Sequence, residues 1–521
     1  MDLNRRDFVK FMGGTTAALS PLVFFGCQKD TKKSDSNDKS AFNGICFSDK
    51  DDFVLADGFE YDIILSFKDK ISDNDTFGAN NDYTCPIVLN KNEVILWVNH
   101  EYPDLLVGSK YEKGMNRTKQ MIDSERYSCG GSLVHLKKEG KNWKVQFNSK
   151  YNRRITGETK IPLISQRAIE GSKIAEGTFA NCAGGKTPWN TILTCEENYH
   201  NFYGERTFPE RKLKESRLGW DKYYQNPPEH YGWVVEVNPI TGDAKKLTGL
   251  GRFSHECATC IPTKDGRVAV YSGDDKNSEF LYKFISKKGD SLEEGELFVA
   301  DIKKGKWISM DIEKQPKLKK VFKDQTEVLI QCRQAGRLLG ATQLDRPEDI
   351  EINPKNGDVF ICLTNNKEKN NYHGSILKIT EENGDHGSMT FKAQDFLVGG
   401  EDFSCPDNLA FDSKGNLWFA TDISGDSMNK MPYAMFKNNG LFYVPMSGKE
   451  AGKVIQVASA PTDAELTGIS FAPDGKTMFL SVQHPGEKSE SLSKLRSHWP
   501  KGGAELPLSS VIEIRGPYLD S

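Results

Sequence analysis

Residues Pro406–Asp422 read PDNLAFDSKGNLWFATD. One β-type run ends at Asp412-Ser-Lys-Gly-Asn416 and another, Leu417–Ala420, starts directly after it. The segment therefore reads as a hairpin whose turn glycine supplies a positive φ. The same theme recurs at Asn238-Pro-Ile-Thr-Gly-Asp243, Lys264-Asp-Gly-Arg267, Asn353-Pro-Lys-Asn-Gly-Asp358 and Pro473-Asp-Gly-Lys476. Further β-type runs are Glu93–Asn99, Ser132–Leu136, Gly232–Val237, Val268–Tyr271, Val359–Leu363 and Met478–Val482. Strong amphipathic helix patterns are scarce. Repeated hairpins without helical crossovers predict an all-β, antiparallel architecture. A β-propeller fits best, because radial repetition leaves only short, protected strand edges. Irregular turn spacing predicts blades with loop and short helical insertions, the largest at Tyr102–Tyr127, Asn201–Tyr231 and Lys287–Glu327. No compositional break marks a second domain, so residues 46–521 read as one propeller.

The chain has 521 residues and a formal net charge of -4, with both signs mixed and no basic stripe. That excludes nucleic acid as an expected partner. Of its 11 cysteines, Cys257 and Cys260 form a CxxC, but no second CxxC completes a four-cysteine zinc site, so the pair reads as structural or free thiols.

The first residues explain where the protein works. Asn4-Arg5-Arg6-Asp7-Phe8-Val9-Lys10 followed by an apolar run to Phe25 resembles a twin-arginine export signal, which carries folded proteins across the bacterial inner membrane. Phe24-Phe25-Gly26-Cys27 resembles a lipobox, although phenylalanine stands where leucine and a small residue are commonest. Residues 1–27 are thus expected to be a signal peptide with lipid attachment at Cys27, and 28–45 a tether, with Gln28–Ser40 almost wholly polar. The expected location is the periplasm, or the outer membrane or cell surface as a lipoprotein. Expected partners are the export machinery, a membrane through the lipid anchor, and small substrates, with the protein a monomer.

Thr187–Asn198 reads TPWNTILTCEEN. Its β-run delivers Cys195, Glu196 and Glu197 at a strand end, where neighbours point to opposite faces and can serve different centres. Thiolate suits softer transition metals, and carboxylates suit Ca²⁺ and Fe³⁺. Acids and histidines recur near other strand ends: His100-Glu101, His255-Glu256, Arg346-Pro347-Glu348-Asp349, Asp407-Asn408, Glu465 and Gln483-His484-Pro485-Gly486-Glu487. Taken singly, such acids usually bond a turn backbone. In a propeller, however, the inner ends of successive blades converge on one channel. The converged set would be an oxygen-rich site for several cations, because acids packed together without them would be very costly. Arg346 would be its anion clamp, since guanidinium matches phosphate oxygens bidentately.

Together with WVNHEY, TPWNTILTCEEN, GRFSHE, LGATQLDRPEDIEINP and FAPDGKTMFLSVQHPGE, the opening segment resembles the PhoX-type alkaline phosphatases, over roughly residues 50–515 and in the family's order. The resemblance implies a six-bladed propeller with a central Fe³⁺ and Ca²⁺ site that hydrolyses phosphate monoesters. It implies Cys195 as iron ligand, Glu256 and Glu348 as iron or bridging ligands, and Glu196 and Glu197 as calcium ligands or bridges. Glu101, Asp407, Asn408 and Glu465 would complete the metal shell, and Arg346 would contact phosphate. Cys195, Glu256, Glu348 and Arg346 are thereby the expected catalytic residues. Two departures are Trp189-Asn190-Thr191, where the family usually has Trp-Gly-Thr, and Cys257 after Glu256; asparagine tolerates left-handed geometry, so the turn is expected to survive. The competing readings are a phosphodiesterase or lactonase on the same propeller, the lactonase needing neither Cys195 nor iron, and a non-catalytic propeller stabilised by calcium.

Overall fold

The computed structural model describes residues 42–516 and Leu519. The expected export signal, Cys27 and most of the 28–45 tether lie outside them. The last tether residues pack on the propeller instead: Ile45 N–H donates to the Gln456 carbonyl at 2.9 Å, and Phe42 meets Phe59 edge-on at 5.0 Å.

Six sheets form the blades of the propeller, antiparallel except where Lys160–Ile164 pairs parallel with Ala244–Leu247 at the outer side of one of them. Their innermost strands are Asn81–Asn90, Asn181–Lys186, Thr259–Pro262, Pro347–Ile352, Pro406–Phe411 and Glu465–Phe471, here blades I to VI. Each continues outward through a hairpin to a second strand: Glu93–His100, Ile192–Glu196, Val268–Gly273, Val359–Leu363, Leu417–Thr421 and Thr477–Gln483. The expected turns make several of these links, with Gly357 at φ 77° and Gly415 at φ 84° in the left-handed region that a β-carbon disfavours. Asn190 is also left-handed, at φ 62°, and its turn is kept.

The ring is closed by the two ends of the described chain. Glu60–Ser66 pairs antiparallel with Ser510–Arg515, so blade VI combines one early strand with three late ones. Apolar wedges fill the spaces between blades. Trp97, Leu133, Ile192 and Val235 pack between I and II, Phe360, Leu409 and Phe419 between IV and V, and Leu96, Val134, Phe479 and Val511 between VI and I.

Tyr102–Tyr127 is an insertion carrying most of a helix, Lys119–Ser128, capped by the Thr118 hydroxyl. Asn201–Tyr231 contributes Phe202, Trp220 and Tyr231 to an aromatic cluster around Phe179. Lys287–Glu327 departs from expectation. Much of it is blade III itself, in strands Ser291–Asp301 and Lys306–Ser309, before short helices begin at Pro316. Among the described residues no helix is long and apolar enough to cross a membrane.

Candidate metal centre

In each blade hairpin, the inner strand starts at the end of the channel where the second strand finishes. The inner-strand starts place Asp82, Cys182, Glu348, Asp407 and Glu465 there, and Glu256 lies just ahead of the blade III strand. The second-strand ends add Glu101, Glu197, Asp275, Asp422 and Gln483. Two backbone devices aim the inner set. Strand register slips between Asn81 and Thr84, Asn181 and Gly184, Pro347 and Ile350, Pro406 and Leu409, and Thr467 and Ser470. Such bulges re-aim side chains. Two positions before the ligating side chain, Asn80, Ala180, Arg346, Cys405 and Asp463 all have positive φ, between 41° and 60°. Left-handed geometry costs a non-glycine residue roughly 1–2 kcal/mol, so its recurrence in five blades marks strain held at a functional rim.

Three metal-competent groups result, each with ligand atoms within 4.8 Å of one another: Asp82/Glu101/Cys182, Cys182/Glu197/Glu256 and Glu256/Glu348/Asp407. Cys182 and Glu256 each belong to two groups, so the three form one chain. The Cys182 Sγ lies 3.1 Å from Glu256 Oε1 and 3.4 Å from Asp82 Oδ2. Gln483 Nε2 donates to Glu101 Oε2 at 3.0 Å and Asp82 Oδ2 at 3.2 Å, and the Thr467 hydroxyl touches Asp82 Oδ1. Asn408 donates to Asp407 Oδ2 at 2.7 Å and accepts from Gly468 N–H at 2.8 Å, so it orients an acid of the cluster. Glu465 lies beside His484 Nε2 at 3.4 Å.

Of the expected residues, the structure brings together Glu101, Glu197, Glu256, Glu348, Asp407 and, at the edge, Asn408 and Glu465. Cys195 and Glu196 require correction. Cys195 pairs with Val234 in the sheet and its side chain is buried with Leu193, Phe253 and Val270 between blades II and III. Strand alternation turns it away from the channel, and Cys182, which sequence reading missed, supplies the thiol. Glu196 is wholly buried but faces the protein. It binds Lys246 Nζ at 2.6 Å and accepts from the N–H groups of Gly232 and Trp233 at 3.0 and 3.1 Å. Only the residue past the strand end, Glu197, reaches the cluster.

Arg346 reaches the cluster with one edge already engaged. Its Nε and Nη2 grip both oxygens of Asp275 at 2.8 Å each, and Nη2 lies 2.6 Å from Glu348 Oε1. A bidentate phosphate contact through that edge is thus replaced by a bidentate aspartate contact. His100 and His255 are structural: each spends both ring nitrogens on a serine hydroxyl and a backbone carbonyl. Cys257 and Cys260 are free thiols outside the three groups. Asp82, Cys182 and Asp275 had no motif in the sequence beyond their place at a strand end; the unused signal was the repetition of that place in every blade.

Electrostatics identify what the site needs. Burial pushes Glu256 well above the usual carboxylate range, and Glu348, Asp407 and Glu197 add repulsion. Glu101 is pushed up to about 8 by burial and then by Asp82. Burial, then Asp82 and Glu256, raises the Cys182 thiol. Burial opposes ionisation of Asp275 too, yet the Arg346 guanidinium holds it below the usual range. One buried oxygen of Glu197, Oε1, has no hydrogen-bond partner among the described residues. An orphaned carboxylate oxygen and a thiol among mutually repelling acids fit bound cations, which offset the repulsion and deprotonate a coordinating thiol.

A propeller whose blade ends converge on chained acid–thiol groups defines the class as a metal-dependent enzyme with a channel-end site. The family model described as "Alkaline phosphatase PhoX" matches residues 40–486, and the chain belongs to that family. Among solved structures, Pseudomonas fluorescens PhoX in complex with vanadate, a transition state analogue, is similar at 30% identity, covering 92% of this chain and 98% of that chain with a TM-score of 0.82. A Dyadobacter fermentans protein of unknown function is 11% identical and covers 88% of this chain and 100% of that chain, with a TM-score of 0.36. No curated protein matches. The protein is an alkaline phosphatase, a phosphoric monoester hydrolase on a six-bladed propeller.

Proposed function

We propose that the chained groups hold Fe³⁺ and Ca²⁺ and that the phosphoryl group of a small phosphate ester docks against them and Arg346. The observation that carries this reading is the sharing of Cys182 and Glu256 between neighbouring groups. A single sulfur within a carboxylate set suits iron, and the surrounding hard oxygens suit Ca²⁺. Cys182, Glu256, Glu348 and Asp407 are the proposed iron and bridging ligands, with Asp82, Glu101, Glu197 and Glu465 supplying the calcium side. Bound metal ions would supply Lewis-acid polarisation of the phosphoryl group and activation of the attacking water. The chain's own residues do the positioning. Asp275 and Glu348 fix the plane of the Arg346 guanidinium through Nε and Nη2, and its Nη1 donors, engaged by neither acid, would be the ones offered to phosphoryl oxygens as charge accumulates there. Gln483, Thr467 and Asn408 hold Asp82, Glu101 and Asp407 in register before substrate arrives.

The test is elemental analysis of purified protein alongside hydrolysis of p-nitrophenyl phosphate, bis-p-nitrophenyl phosphate and a lactone. Iron with calcium and a strong monoester preference support the proposal; calcium alone, or faster diester or lactone turnover, refutes it. The proposal extends to location: a monomer exported by the twin-arginine route and lipid-anchored at Cys27, facing the periplasm or cell surface. The Arg5-Arg6 pair and the Phe24–Cys27 segment support it. Release of a Cys27→Ala variant from the membrane fraction is the expected outcome, and unchanged fractionation counts against the anchor.

A further inference from the structure

A second polar cleft opens at the same end of the propeller, beside blade III. It has a volume of about 650 Å³ and is lined by Lys303, Lys304, Arg337, Lys369, Thr342 and Gln343, with Asp301 its one acid. Three of the cations have acidic partners: Lys304 with Asp301 at 3.0 Å, Lys369 with Asp345 at 2.7 Å, and Arg337 with Glu279. Lys303 makes no hydrogen bond or ion pair among the described residues, so its charge is the surplus of the cleft. The Thr342 hydroxyl accepts the Ile302 N–H at 3.0 Å, which leaves its own proton to donate. Ammonium, guanidinium and hydroxyl donors around a net positive space are the chemistry that recognises phosphate. The volume exceeds what one phosphate fills and leaves room for an organic group.

The cleft is joined to the metal centre by a short ribbon. Glu279 and Asp345, the acids that hold Arg337 and Lys369, lie in the paired strands Asn277–Glu279 and Leu344–Asp345. Two residues before one strand stands Asp275, and directly after the other stands Arg346, and these two grip each other at 2.8 Å. We propose that the cleft binds a phosphate-bearing anion apart from the metal centre, and that its occupancy reaches Arg346 through this ribbon. An anion drawing on Lys369 and Arg337 competes with Asp345 and Glu279 for the same donors, so it loosens the ribbon's outer anchorage. By linkage, whatever the anion does to affinity at Arg346, a ligand at Arg346 does equally to the anion. The anion is either the product, inorganic phosphate, or a phosphate ester.

Isothermal titration calorimetry on the full metal-loaded protein distinguishes the sources, with inorganic phosphate in one arm and phenylphosphonate, an ester analogue that is not turned over, in the other. The expected result is two binding sites per chain for at least one of the two probes. Two sites for phosphate alone assigns product binding; two for phenylphosphonate assigns an ester. Lys303→Glu should weaken one site about ten- to a hundredfold, as expected for a lost charge-assisted contact, and leave the other unchanged. It should also leave kcat/KM at low phosphate unchanged while removing any non-competitive component of phosphate inhibition. Arg337→Gln, which keeps a polar side chain, should weaken the same site. One site per chain with both probes, or two sites that survive both substitutions unweakened, overturns the proposal.

Discussion

Replacing Cys182 by serine separates the structure's site from the one expected at Cys195. The Cys182 sulfur stands 3.1 Å from Glu256 and 3.4 Å from Asp82 and is shared by two ligating groups, so its loss acts on both. Removing even an outer partner of a metal ligand costs about 10–100-fold in affinity or activity. For a shared ligand that range is a floor, and Cys182→Ser should lower p-nitrophenyl phosphate turnover by about a hundredfold or more. Iron content and any sulfur-to-iron absorption band should fall with it. Cys195 lies in an apolar wedge, so Cys195→Ser buries a hydroxyl among Leu193, Phe253 and Val270. That change should cost about 1–3 kcal/mol of stability while metal per folded chain and its activity stay at wild-type values. The assays are elemental analysis, visible absorption, turnover and thermal melting of both variants side by side. A metal-replete, coloured and active Cys182→Ser protein, with a depleted Cys195→Ser protein, would refute the assignment of the thiol.

Arg346→Ala should lower kcat/KM about ten- to a hundredfold and weaken competitive phosphate inhibition, because it removes a charge-assisted contact and frees Asp275; unchanged kinetics would take Arg346 out of the site. Glu196→Gln removes the carboxylate that pairs Lys246 in the interior and leaves its ammonium only the His230 carbonyl and neutral groups, so denaturant melts should show a loss of about 3–5 kcal/mol, with metal content per folded chain retained. A calcium-selective chelator should abolish activity before iron leaves, and added Ca²⁺ should restore it where Mg²⁺, which demands tighter octahedral geometry, does so poorly; full activity without calcium would refute its role. Metal-stripped protein should lose stability as pH rises from about 5 towards 8. Glu101 keeps its proton in the folded state up to about 8, whereas the unfolded chain releases it near 4.3, so the folded state binds more protons throughout that window. Melting curves across it should slope downward with pH, and refilling with metal should flatten them.

The hairpins were legible because their cause is local: the Asp412–Asn416 turn and its glycine lie within five residues. Closure was not, because Glu60–Ser66 meets Ser510–Arg515 across nearly the whole chain and neither strand carries a mark of its partner. Blade III is hard to read for a related reason: Ser291–Asp301 opens with Ser291–Glu296, polar but for Leu292, which resembles a loop until a neighbouring strand gives it a place. The site divides along the same line. Glu101, Glu197, Glu256, Glu348 and Asp407 could be found by their motifs at strand ends. Cys195 stands out in the sequence because it adjoins two acids, but adjacency along a strand means opposite faces in space, while Cys182 has no acid beside it to mark it. The bulge between Asn181 and Gly184, which aims Cys182, depends on pairing with the next strand and has no signature of its own.

The late closure of blade VI also orders events during synthesis. Glu465, Thr467 and Gln483 sit in that blade and stand against Asp407, Asp82 and Glu101, while the blade's third strand, Ser510–Arg515, is translated after every one of them. Until that strand emerges, blades I to V can be assembled, but the ring is open on the side where the first ligating group would be completed. The growing chain thus presents acids without the partners that fix them, and a finished cation-binding rim first exists only once Ser510–Arg515 has emerged and paired. Losing Ser510–Arg515 would unlatch the circle and so disarm a site whose own ligands all lie upstream, which makes closure of the ring a built-in check on the site.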